Sequence, residues 1–204
     1  MENNQQSLFD VQSASIKHFP PDMAAQAGDF HVGDFLLTHG NSFFGILIRI
    51  GQGFAFWGED RKYTWWNHAA LIVSEDGNLI EALGSSGVKL THISKYAPTD
   101  YHIVRLGELA SDRDREQMGA FAQRTLNLKY GVMTLISIGI GLITGCRFKF
   151  GFDGEYICSG LVARALERSS VIFDRSPSHI TPADLAKYFL VEPPVEGQSK
   201  GIIP

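Results

Sequence analysis

Apolar and polar positions alternate through the middle of the chain and take on helical spacing to either side of it. Gly33-Asp34-Phe35-Leu36-Leu37-Thr38 predicts a first strand, introduced by a turn. Asn67–Ser74 and Asn78–Leu83 predict two more, joined through Glu75-Asp76-Gly77, where Asp-Gly is a strong hairpin signal. Gly87–Ile93 and Tyr101–Leu106 add two strands, with Leu90, Ile93, Ile103 and Val104 supplying apolar faces. Ser111 caps a helix with Asp112, Asp114 and Glu116 in its first turn, running to about Leu128.

Around this centre the signals are shorter. Phe43–Gly51 predicts a helix with Phe44, Leu47 and Ile48 on one side. Gly51–Trp66 mixes glycine, aromatics and charge, as exposed loops with a binding role do. Gly151–Glu155 is a polar loop leading to Cys158 and a helix over Ser159–Arg168, and Thr181-Pro182 opens a last short helix with threonine as cap. These elements predict one domain over 28–191 with an insert at about 130–155. Residues 1–27 form a loosely ordered lead-in with a helical patch near Asp22–Ala27, and 192–204 a fraying tail.

Composition narrows the classes. At 204 residues, 44% hydrophobic and 20% charged, the chain suits one soluble domain with a substantial core. A net charge of -4 gives no general attraction to nucleic acid or anionic membrane. The N-terminus lacks the basic start and apolar stretch of a secretory signal. That predicts a protein cytoplasmic in the producing cell, or exported by a non-classical route to act on the cell envelope. Gly131–Gly145 is the longest apolar run and is short for a membrane span. A buried helix or apolar loop is its first reading; a lipid-touching or substrate-facing flap, and with it peripheral membrane contact through 131–145, is its second.

Two cysteines, Cys146 and Cys158, make no disulfide framework, although one bridge fits on paper. Cys146 is read as structural or incidental. Cys158 stands at the mouth of a helix, where unpaired backbone N–H groups favour thiolate over thiol. His68 opens an apolar strand just after Trp65, Trp66 and Asn67. A thiol so placed and a histidine on a strand are the two parts a cysteine hydrolase needs. His18, His31, His39, His92, His102 and His179 lack such a setting and are set aside.

An imidazole base needs a third group to fix its tautomer. Glu81, on the otherwise apolar strand Leu79-Ile80-Glu81-Ala82-Leu83, needs a partner of its own. A two- or four-residue turn puts both side chains on one face. With Asp76-Gly77 as a two-residue turn, Glu81 sits opposite Ile72, four residues or about 13 Å along the strand from His68. A turn centred on Ser74-Glu75 brings the two directly opposite. Local metal-ligand spacings are absent, as are phosphate-loop, dinucleotide and Gly-x-Ser-x-Gly motifs, so neither metal nor cofactor is expected.

The residues Gly33-Asp34-Phe35-Leu36-Leu37, Asn67–Val73, Leu79–Ala82 with Gly87-Val88 and Tyr96, Tyr156–Val162 and Thr181–Leu185 occur in an order that resembles the circularly permuted NlpC-type branch of the papain-like cysteine hydrolases. There a histidine strand precedes the cysteine helix. The resemblance covers about Gly33 to Phe189 and implies an α+β fold, an antiparallel sheet packed on the cysteine helix. It implies Cys158 as nucleophile, His68 as base and then acid, and Glu81 as orienter. Trp57, Trp65, Trp66 and Tyr156 are candidate substrate contacts.

Three functions follow. The first is amide hydrolysis through a thioester, with peptidoglycan peptides the commonest substrate in NlpC-type enzymes. This reading suits a delivered antibacterial effector or phage lysis factor, an effector having an immunity or delivery protein as partner. The second is a lipid-directed acyl hydrolase or acyltransferase, similar to lecithin–retinol acyltransferase. The third is a binding module on a hydrolase scaffold.

Overall fold

The computed structural model describes residues 14–84, 86–128 and 158–194. Cys146, Tyr156, the insert at about 130–155 with its apolar run, and the tail beyond 194 lie outside the described residues. Six strands form one antiparallel sheet: β1 (Ser15–Phe19), β2 (Phe35–Thr38), β3 (His68–Ile72), β4 (Asn78–Leu83), β5 (Gly87–His92) and β6 (Tyr101–Arg105). Their order across the sheet is β1-β6-β2-β3-β4-β5. Among the described residues four helices accompany them: α1 (Phe43–Ala55), α2 (Asp112–Arg124), α3 (Cys158–Leu166) and α4 (Pro182–Tyr188). The fold is α+β.

Alternation of side chains gives the sheet two apolar faces. Leu36, Ala70, Ile72, Leu79 and Ile103 bury against Phe30, Tyr96 and Tyr101 on one side. Phe35, Leu37, Ala69, Leu71, Ile80 and Val104 form the other, against α3. Every residue of α3 except Arg164 is buried, because the helix sits between β3 and β4 on one side and α2 and α4 on the other. A helix apolar all round has no solvent face to offer. Each fully buried leucine or valine here contributes roughly 1.5–3 kcal/mol of transfer free energy.

Capping follows the local chemistry. Ser111 and Thr181 each form a reciprocal capping box, with Asp114 and Asp184 respectively. The β3–β4 connection is a four-residue turn, Ser74-Glu75-Asp76-Gly77, closed by Val73 N–H to Asn78 O at 2.8 Å. Gly77 ends it at φ 88°, a left-handed backbone where a Cβ would also meet Ile93 Cγ2 at 2.8 Å.

Four expectations are corrected. Ser15–Phe19 is an edge strand rather than loose lead-in, its partner β6 lying some eighty residues away where local pattern cannot see it. Asp22–Ala27 is not helical: Pro20 and Pro21 precede a turn in which Asp22 takes φ 69° and donates to Ala97 O. In α1 the buried positions are Gly45, Ile48 and Gln52, and Leu47 faces outward. Gln52 decides that orientation. Its side-chain nitrogen donates to Trp66 O (2.9 Å) and its oxygen accepts from Ala183 N–H (2.9 Å), joining α1 to the start of β3 and to α4. Gly58–Trp65, expected as open loop, is a 3₁₀ helix.

A second polar clamp secures α2. Asp34 is fully buried; it accepts from Arg115 (3.0 Å), Leu106 N–H (3.0 Å) and His31 N–H (2.8 Å). Arg115 also donates to Val32 O and Gly107 O. Removing one partner leaves the other's charge poorly compensated in the interior. Asp34→Ala is expected to lower unfolding free energy by about 3 kcal/mol or more, measured by urea denaturation against wild type.

Candidate active site

His68 is the first residue of β3, placed by the neighbouring Asn67. The Asn67 side chain accepts from Gly40 N–H (2.8 Å) and donates to Gly40 O (2.7 Å), pinning the strand start to the loop after β2. From there the hairpin register sets what His68 meets. Leu71 pairs with Ile80 and Ile72 with Leu79. Continued, this register sets Glu81 across from Ala70, one same-face step from His68, between the two registers the turn signals allow. The diagonal is short enough to bond: His68 Nε2 lies 2.7 Å from Glu81 Oε2.

Glu81 has no exposed surface, yet four side chains donate to it. Oε2 takes His68 and the Tyr96 hydroxyl; Oε1 takes Thr91 Oγ1 (2.5 Å) and Lys95 Nζ (2.8 Å). Burial opposes its charge, but His68, Lys95 and Thr91 outweigh burial and hold the carboxyl well below its usual range. The Tyr96 hydroxyl, buried and bonded to that carboxylate, is pushed far above its ordinary value and stays a donor.

The other ring nitrogen of His68 is left for Cys158. Cys158 begins α3 and is 1% exposed, and the groups that act on its sulfur are the His68 imidazole and the backbone N–H groups of Ala69 and Ser159. Burial alone would raise the thiol pKa; the His68 hydrogen bond and charge, with the two amides, lower it below a free thiol's value. Burial likewise works against charge on His68, but the bonds to Cys158 and Glu81 and their negative charges raise its pKa to about 9. The arrangement therefore favours thiolate beside imidazolium, a nucleophile next to its own proton donor.

His68, Tyr96, Lys95, His39, Phe44 and Ile48 are among the residues that line a cavity of about 390 Å³. Gly84 allows Phe44 this close: a Cβ there would lie 2.1 Å from the Phe44 ring. His39 is fixed by Trp65 O (2.7 Å) and by stacking on the Trp65 ring at 4.3 Å, and burial lowers its pKa.

The tryptophans are placed differently from the groove expected of them. None lines this cavity. Trp66 is a core residue, fully buried with Nε1 donating to Val191 O, because its side chain turns into the α3 face of the sheet. Trp57 is 72% exposed at the end of α1, and Trp65 backs His39. Tyr156 is outside the described residues. Thr91 and Lys95 were missed: Thr91 shares the alternation of Lys89, which pairs with Glu81, but nothing local marks Lys95. No protein-family model and no curated protein matches this chain.

Only thiolate reacts with an alkylating agent, so an ordinary thiol of pKa about 8.5 slows about 25-fold between pH 9 and pH 7. Cys158 is expected to slow less than about threefold over that interval. Glu81→Gln, which removes charge that supports the imidazolium, is expected to restore a steep dependence. Rates read by mass spectrometry and normalised to each variant's value at pH 9 check both.

Proposed function

We propose that this chain is a permuted papain-like cysteine hydrolase that cleaves an amide bond through a thioester, acting on peptidoglycan peptides. The observation that carries the chemistry is the His68–Glu81 hydrogen bond at 2.7 Å, with Cys158 at a helix N-terminus acting on the same imidazole. Cys158 thiolate attacks the carbonyl carbon, and the Cys158 N–H is one donor to the oxyanion. As the tetrahedral intermediate collapses, the C–N bond breaks and His68 passes its proton to the leaving amine. Water then attacks the thioester while His68 takes a proton from it, releasing the carboxylic product and regenerating the thiolate. Glu81 holds the imidazole's orientation and charge throughout. Lys95, half exposed at the cavity, suits the carboxylates of a peptide substrate.

A second reading, a lipid-directed acyl hydrolase or acyltransferase, draws support from α1. Phe43, Ile46, Leu47, Ile50 and Phe54 are 44–70% exposed at helical spacing, and Phe44 and Ile48 of the same helix line the cavity. Clusters of exposed large apolar side chains mark contact surfaces. Among the described residues no helix is long and apolar enough to cross a membrane. The third reading, binding without turnover, gains no support from a site whose thiol is activated.

Purified sacculi and a phospholipid and N-acyl panel separate the readings. New amine termini from sacculi, reduced by on the order of 10⁴-fold or more in Cys158→Ala, are the expected result. Thiol-dependent acyl release from lipids with sacculi untouched replaces the first reading by the second. Turnover of neither, with Cys158 still reactive, leaves the binding module. Ile50→Asp with Phe54→Asp is expected to abolish co-flotation with neutral phosphatidylcholine vesicles only under the lipid reading.

A further inference from the structure

We propose that His18, Asp100 and His102 form a binding site for a divalent first-row transition ion, Zn²⁺ being the best match to the donors. The fold assembles them from two places. His18 on β1 and His102 on β6 are direct cross-strand partners, and Asp100 stands just before β6. One ligand atom from each lies within 4.8 Å of the others, with His18 Nε2 3.1 Å from Asp100 Oδ1. The Asp100 backbone is held in place by Thr38, whose hydroxyl donates to its carbonyl at 2.9 Å.

The second observation comes from what these groups lack. His102 is 6% exposed, and neither of its ring nitrogens has a hydrogen-bond partner; buried Oδ2 of Asp100 has none either. Buried polar atoms are nearly always paired, and an unpaired one costs about 1–3 kcal/mol. The His18–Asp100 contact accounts for one nitrogen and one oxygen and leaves the rest unexplained. A cation between the three side chains would satisfy atoms from all of them.

The chemistry fits. Two imidazoles and a carboxylate are borderline ligands that suit Zn²⁺ and its neighbours, and three protein ligands leave a fourth position for water. Zn–N and Zn–O distances of about 2.0–2.2 Å put ligand atoms roughly 3.5 Å apart, so small side-chain movements close the present spread. His102 is packed against Trp66, ring centroids 4.7 Å apart, which holds its ring in place. His18 is 29% exposed on its side chain, which gives the ion a route in.

This site is separate from His68. His102 shares its sheet face with Val104, whereas His68 shares the opposite face with Ala70. Strand β2 also separates β6 from β3, two strand spacings or about 10 Å.

The test uses the full-length protein, stripped with chelator and titrated with Zn²⁺ by calorimetry, with Cys158→Ala alongside to exclude capture by the thiol. One Zn²⁺ per chain is expected in both. His18→Ala and Asp100→Asn, both at positions less buried than His102, are each expected to weaken binding by at least about tenfold. Each should keep the wild-type circular dichroism spectrum and lose the Zn²⁺-dependent rise in melting temperature. Co²⁺ should give visible d–d bands without sulfur charge transfer. Absence of saturable binding, its loss in Cys158→Ala, or unchanged affinity in His18→Ala and Asp100→Asn would overturn the proposal.

Discussion

A carboxylate with no exposed surface, Glu81, is kept ionised by four donors, and the candidate site is organised around that one charge. Isolated, it would take up a proton rather than bear the cost of burial. Surrounded by His68, Tyr96, Thr91 and Lys95, it stays an anion and stabilises the proton on His68. The imidazolium in turn lowers the Cys158 thiol. Charge deep in the sheet is thus transmitted through one ring to a sulfur at a helix end.

Rigid elements hold this relay. The four-residue turn fixes the β3–β4 register, and that register alone decides whether His68 and Glu81 touch. Helix α3, packed on nearly every side, brings Cys158 to β3 with its amides facing the sulfur. Gln52 ties α1 and α4 to the start of β3, and Asp34 with Arg115 anchors α2. These interior polar groups satisfy one another, so they cost little and specify one arrangement.

Much of this was legible beforehand. The strands from β2 to β6, the caps Ser111 and Thr181, and the placement of Cys158, His68 and Glu81 on their elements follow from alternation, cap chemistry and a lone acid on an apolar strand. What stayed hidden depends on distant pairing. Strand β1 has too little alternation to stand out and exists because β6 offers an edge. The outward apolar face of α1 reflects Gln52 taking the inward side, which no periodicity encodes. Trp66 looked like a groove residue because aromatics near a histidine serve either role; its Val191 contact comes from the far end of the domain. His18 and His102 were set aside for the same reason, their proximity being a cross-strand fact.

The most direct measurement of the central claim is the protonation state of His68 by imidazole ¹⁵N chemical shifts across a pH titration of the wild-type protein. The account predicts an imidazolium at about pH 7.5 that loses its proton near pH 9. A His68 ring already neutral at about pH 7.5, titrating at or below the value of a free histidine, would contradict it.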